Sequence, residues 1–210
     1  FSINTANFFT TEDEIGYGFR RRGPSGHDFE HIVAAGKKAC KLHNVSNDAK
    51  LTRGELIVAD VGAEVEHYAA DITRTVAISS PTARQQAVYD AVLEAQRFAF
   101  GLLKPGMDFA EYREQTDRFI GEKLRELGLI NKLTDANVRR YYPHSISHFL
   151  GLNVHDAGDY RQPLQAGTVL TVEPGIYIPE EGIGIRIEDD VLVTGSGITI
   201  LSDKLPKNLS

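Results

Sequence analysis

Apolar residues fall into short runs set between polar punctuation, and into two longer stretches with helical spacing. Leu56 to Ile78 is rich in Val, Ile, Thr and Ala, with Gly62 early and polar residues near its middle, and predicts two strands. Thr168 to Val172 and Gly184 to Thr194 also read as strands, with Pro174-Gly175 and Pro179 to Gly182 between them. Phe29 to Ala35 predicts a short strand and Ile198 to Leu201 a last one. Val88, Val92, Ala95 and Ala99 recur at helical intervals. Ser80 as cap and Pro81 at the first helical position start that helix, and Pro105-Gly106 ends it near Leu103. A second helix starts at Asp108, with Glu111 at capping-box spacing and Gly128 as its stop. Its largely apolar face carries Phe109, Tyr112, Thr116, Phe119, Ile120, Leu124 and Leu127. Residues 1–27 show no clear period, Arg20 to Gly26 predicts a loop, and residues 36–54 read as connecting loop. The tail from Lys204 to Ser210 is expected to fray.

Two of the apolar strand segments carry acids where apolar residues belong. Asp60 follows Leu56-Ile57-Val58-Ala59, and Asp71 interrupts Tyr68-Ala69-Ala70 and Ile72. A hairpin turning at Val65-Glu66 would set Asp60 opposite Asp71. Glu173 ends Val169 to Val172, and Glu188 follows Ile185-Arg186-Ile187. A turn at Glu180-Glu181 would set Glu173 opposite Glu188. Like charges facing each other on apolar strands are destabilising. A shared proton is one remedy and a cation is the other. Taken singly, each acid reads as an ordinary solvated carboxylate. The repeated pairing, with histidines nearby, favours the cation.

Those histidines are His144, His148 and His155, within the run His144 to Asp156. The four-residue spacing of His144 and His148 resembles a helical zinc motif, but Ser145 stands where that motif needs Glu. Gly151 and the β-branched neighbours argue against a long helix there. His148 and His155 meet the carboxylates if this segment crosses beneath the strands. A lone histidine is as often a hydrogen-bonded structural residue, and His144 fits a supporting place.

Composition narrows the partners. The chain has 210 residues, 41% hydrophobic and 25% charged, enough for a sizeable core in one domain or two small ones. Lys and Arg number 23 against 29 Asp and Glu, a net charge of −6, with no basic cluster beyond Arg20-Arg21-Arg22. Nucleic acid is therefore not expected as the partner. No apolar run approaches about 18 residues, so no membrane-spanning helix is expected. Cys40 is the single cysteine, which fits a reducing, cytoplasmic setting and excludes a multi-cysteine zinc site.

The segments Asp60-Val-Gly-Ala-Glu64 with Tyr68 to Thr75, His144 to Asp156, Val172 to Tyr177 and Gly184 to Asp190 together resemble the metal motifs of the pita-bread metallopeptidases. His148-Phe-Leu-Gly-Leu-Asn-Val-His155-Asp156 and Leu42-His43-Asn44 are most similar to the aminopeptidase P branch. That resemblance implies an α+β, pita-bread fold with pseudo-two-fold antiparallel sheets covered by helices. It implies two divalent metal ions, Mn first and Co or Zn as alternatives. Asp60, Asp71, His148, Glu173 and Glu188 would hold them, with Asp71 and Glu188 bridging. It further implies hydrolysis of the bond before a proline at the second position of a peptide. Glu173 would carry the proton, with His155 and His43 at the reacting carbonyl. His144, Tyr177 and Arg186 would be substrate-binding or supporting residues.

Relatives of this type carry a separate N-terminal domain and opening helices. Residues 1–210 read as the catalytic domain alone, with its first half shortened. A homo-oligomer is the expected assembly. Two other readings stand beside this one: an Xaa-Pro dipeptidase (prolidase), and a pita-bread module that binds peptides without cleaving them.

Overall fold

The computed structural model describes residues 8–23, 26–27, 29–45, 47 and 51–209. In chain order these form α1 (Phe8–Arg22), β1 (Gly26–His27), β2 (Ile32–Ala35), a 3-10 turn (Gly36–Cys40), β3 (Leu56–Val61), β4 (Ala63–Val65), β5 (Tyr68–Ala69) and β6 (Ile72–Ala77). Then come α2 (Ala83–Leu102), α3 (Phe109–Glu126), α4 (Asp135–Tyr141), β7 (Val169–Val172), β8 (Gly175–Ile178), β9 (Ile183–Arg186), β10 (Asp189–Val193) and β11 (Ile198–Ile200). All strand pairs are antiparallel, in sheets ordered β2-β3-β6, β1-β4-β5, β11-β10-β7 and β8-β9. No helix among the described residues is long and apolar enough to cross a membrane.

Two long hairpins organise the sheets, and each breaks where its acids lie. In the first, Asp60 pairs with Thr73, Val61 with Ile72, and Val65 with Tyr68. Asp60 is therefore not opposite Asp71, and the expected turn at Val65-Glu66 is displaced. Glu66 and His67, at φ 51° and 65°, form the turn in the left-handed region that two-residue hairpins favour. Moving the turn by one residue shifts the pairing by two. A shift of two preserves the face each side chain occupies, so both carboxylates still point the same way. Gly62 lies at the break, and a Cβ there would sit 2.1 Å from the Ala70 carbonyl oxygen. In the second hairpin Val172 pairs with Asp189 and Gly175 with Arg186, so Glu173 and Glu188 face each other in the expected register.

Helix boundaries follow their caps. Asp108 accepts the Glu111 N–H at 2.9 Å, and Gly128 follows α3 at φ 73°, both as expected. For α2 the cap is Thr82, not Ser80. Thr82 Oγ1 accepts the Gln85 N–H at 3.2 Å while Gln85 Oε1 accepts the Thr82 N–H at 2.8 Å. That reciprocal pair outcompetes a Ser80 start and leaves Pro81 outside the helix.

Three further sequence expectations are corrected. Arg20 to Arg22 end helix α1 instead of forming a loop; residues 24–25 of that expected loop lie outside the described residues. The helix persists because Ile15 packs with Val33, Ala35 and Ile57, and Phe19 meets the His31 ring edge-on. A short helix, α4, forms where none was expected, capped by Thr134. The tail does not fray over residues 205–209: Leu209 is buried, and its carbonyl accepts the Ala77 N–H at 2.9 Å.

Helix α2 ties two apolar cores together. Val88, Val92 and Ala95 pack with Ile176, Ile178 and Ile185, while Ala99 and Leu103 pack with Leu170, Val172 and Val191. Each fully buried Leu or Ile contributes about 1.5–3 kcal/mol. The two hairpins are thereby pressed together with their acid-bearing breaks adjacent.

Candidate metal centre

Asp60 lies in β3 and Asp71 just before β6; Glu173 follows β7 and Glu188 precedes β10. The histidine segment is not helical but lies along β7. Thr171 N–H donates to the His148 carbonyl at 3.0 Å, and Glu173 N–H to the Ile146 carbonyl at 2.9 Å. His148 Nε2 comes within 3.4 Å of Asp71 Oδ2 and 3.7 Å of Glu173 Oε1. Asp71, His148 and Glu188 each offer a ligand atom, all within 4.8 Å of one another.

The chemistry of this donor set fits a divalent cation. Asp60 and Glu188 are buried, yet Asp60 Oδ1 and Glu188 Oε1 have no hydrogen-bond partner. Burial pushes the Glu173 carboxyl up to about 7, with the Asp71 and Asp60 charges adding to the rise. Burial also raises Glu188, helped by Asp71 and Glu173. A cation removes this penalty. His148 Nδ1 lies 3.1 Å from the Phe149 carbonyl, so the proton belongs on Nδ1 and Nε2 keeps its lone pair. Oxygen donors with one imidazole suit hard or borderline ions.

A buried relay braces the acids from behind. The Arg186 guanidinium donates to Asp60 Oδ2, to Thr73 Oγ1 at 3.0 Å and to the Tyr177 hydroxyl at 3.0 Å. Having accepted from Arg186, the Tyr177 hydroxyl donates to His144 Nε2 at 2.9 Å. His144 Nδ1 then donates to the Ser145 carbonyl at 2.8 Å. Both ring nitrogens are thus used by the neutral tautomer, and burial beside Arg186 lowers the His144 pKa to about 3. Thr73 Oγ1 donates to Glu188 Oε2 at 2.6 Å, and Asp190 Oδ2 accepts the Asp71 N–H at 3.1 Å.

A cavity of about 170 Å3 opens over the acids. Asp60, Asp71, His148, Glu173 and Glu188 all line it, together with His43, His155, His144 and Arg186. His43 and His155 are exposed, and the His155 ring stands 4.3 Å from that of His148, nearly perpendicular. Tyr177 lies behind the wall, 2% exposed, against His144 and Arg186. The apolar wall of Phe29, Ile32, Leu42 and Val154 was not anticipated, nor were the hydrogen bonds of Thr73 and Asp190. Thr73 had a signal: it lies two residues from Asp71 in a strand, hence on the same face.

The unbalanced acids give the metal-free chain a definite pH response. The folded-state pKa of Glu173 stands near 7 against an ordinary 4.5, and that of Asp190 near 8 against 3.8. Their stabilising contribution is complete at low pH and is lost as pH rises through these folded-state values. His144 acts oppositely, but only below its ordinary 6.5. Each pKa unit of linkage is worth about 1.4 kcal/mol. The chelated chain is expected to melt at least about 5 °C lower near pH 8.5 than near pH 6.5. Excess Mn2+ should remove the part of that difference that comes from Glu173. Thermal melts at the two pH values check this, and a pH-independent Tm in chelator would contradict it.

The family described as metallopeptidase family M24 matches residues 10–195. Human Xaa-Pro aminopeptidase 3 is 39% identical over 207 residues, covering 91% of this chain and 41% of that protein. The structure of Pseudomonas aeruginosa aminopeptidase PepP superposes with a TM-score of 0.92 at 40% identity, covering 98% of this chain and 51% of that one. Zinc-substituted Escherichia coli aminopeptidase P in complex with product gives 0.91 at 34% identity, covering 97% and 50%. The fold is thus the α+β pita-bread fold of aminopeptidase P, and the chain spans about half the length of these relatives.

Proposed function

Because this chain belongs to metallopeptidase family M24, we propose that residues 1–210 are the catalytic domain of a metal-dependent aminopeptidase acting before proline. The observation that carries the reading is the buried cluster under the cavity, with Asp60 Oδ1 and Glu188 Oε1 awaiting a partner. Asp60, Asp71, His148, Glu173 and Glu188 would hold two divalent ions, Mn or alternatively Co or Zn. Aminopeptidase P from Escherichia coli exists in a zinc-substituted form. Such ions supply Lewis acidity and acidify water near neutral pH.

The chain's own residues do the rest. Glu173, on the cavity lining between His148 and His144, is placed to carry a proton to the leaving group. Its Oε1 faces His148 and its Oε2 faces His144 Nδ1 at 3.6 Å, so a proton on either oxygen stays inside the cavity. The leaving nitrogen of an Xaa-Pro bond has no hydrogen of its own and must receive one. His43 and His155, at the cavity mouth, suit donation to a developing oxyanion. His144, held neutral by burial beside the Arg186 charge, keeps a second positive charge out of the site. The lone Cys40 fits a cytoplasmic enzyme acting on peptides.

Hydrolysis with Mn2+ tests this, offering an Xaa-Pro-Xaa tripeptide beside an Xaa-Pro dipeptide. Release of the first residue from the tripeptide is expected, abolished by chelator and restored by Mn2+. Cleavage of the dipeptide alone would make the chain a dipeptidase. Peptide binding without cleavage, with metal present, would make it a binding module.

A further inference from the structure

Asp189 stands between Glu188 and Asp190 and is completely buried. Nothing in the chemistry above uses it, yet four groups converge on its carboxylate. Arg74 Nη2 lies 2.7 Å from Oδ1, and Lys207 Nζ lies 2.7 Å from Oδ2. Gln96 Nε2 donates to Oδ2 at 2.9 Å and the Ser202 hydroxyl to Oδ1 at 2.5 Å. Removing one cation from a buried, paired carboxylate is strongly destabilising.

Lys207 belongs to the segment 205–209, which lies along β6. The Leu205 and Pro206 carbonyls accept from Arg74 at 3.4 and 3.1 Å, and the Leu209 carbonyl accepts from Ala77 N–H. The Lys207 ammonium also lies 5.0 Å from the centre of the Phe100 ring. Arg74 reaches the metal side too: its Nη1 donates to the Glu188 carbonyl at 2.6 Å and the Thr73 carbonyl at 2.9 Å. On the other flank of Asp189, Asp190 holds the Asp71 N–H. Segment 205–209 is therefore one side chain away from Glu188 and one residue away from the group that orients Asp71. Asp71 and Glu188 come from different hairpins, so the contacts that hold the two hairpins together set their separation.

We propose that segment 205–209 is a strap: Lys207, acting with Arg74, clamps Asp189 and so sets the separation of Asp71 and Glu188. Strap docking and cation affinity are then reciprocally coupled. The inference rests on the metal-centre reading. Lys207 and Arg74 are positioning residues, since neither lines the cavity.

The test titrates the metal-free full chain with Mn2+, following the free ion by electron paramagnetic resonance. Lys207→Gln should weaken binding about tenfold, in the range seen for groups that orient ligands, while Lys207→Arg keeps it near wild type. In the wild-type chain, hydrogen exchange at the Ala77 amide should slow when Mn2+ binds. Equal affinity in wild type and Lys207→Gln overturns the strap while leaving the metal centre standing. So does an Ala77 amide indifferent to Mn2+. If Lys207→Gln does not fold, the wild-type exchange measurement decides alone. A wild-type chain that binds no Mn2+ overturns the metal centre itself, and the strap with it.

Discussion

Asp71→Asn is expected to remove bound metal and turnover together. Asp71 is buried beside His148 Nε2 and belongs to the group of donors within 4.8 Å of one another. Asn is nearly isosteric, so the packing survives, but the anionic charge is lost and one donor oxygen becomes an amide nitrogen that cannot bind a cation. Cation-derived stabilisation of several kcal/mol corresponds to a fall of about 10^3 in kcat/KM. Metal content by mass spectrometry, measured beside kcat/KM, checks the pairing of the two losses. Normal turnover at normal metal content would remove Asp71 from the centre. The variant should also lose part of the high-pH destabilisation of the chelated chain, because Asp71 raises both Glu173 and Glu188.

Glu173→Gln is expected to separate chemistry from binding. Gln keeps a carbonyl oxygen toward the site but cannot hold or release a proton at neutral pH. Loss of a positioned proton carrier lowers kcat by about 10^2–10^4. Metal content should fall less than in Asp71→Asn, since Asp71 and Glu188, the carboxylates expected to bridge the ions, both remain. KM for a tripeptide should change little, because the cavity walls at Phe29, Leu42 and Val154 are untouched. Pre-steady-state assays with metal content matched across variants provide the check. A kcat within tenfold of wild type would assign the proton to another group.

Much of the centre was legible in the residues, but unevenly. Glu173 and Glu188 could be paired because Pro179 to Gly182 marks a turn and the pairing continues through both halves of the hairpin. Asp60 and Asp71 were placed on the right face but in the wrong register. The turn at Glu66-His67 uses left-handed backbone in residues other than glycine, so the usual glycine signal for it is missing. Helix α3 was legible from its cap to its Gly128 stop. Helix α1 was not: its buried contacts depend on β2, and residues 1–27 alone carry no clear apolar period.

The sequence by itself determined the candidates for the chemistry and some of the local structure: acids set inside apolar strands, a dense histidine segment, and the cap and stop that bound helix α3. These signals are local, because strand alternation and helix capping act over a few residues. Only the tertiary structure decided what those residues meet. The Thr73 hydroxyl reaches Glu188 across 115 residues of chain, and Asp60 meets Arg186 across 126. Lys207, in a polar tail with no local pattern, closes on a buried Asp189. Such contacts follow from two hairpins packing against helix α2 in one arrangement, and neither hairpin encodes its distance from the other.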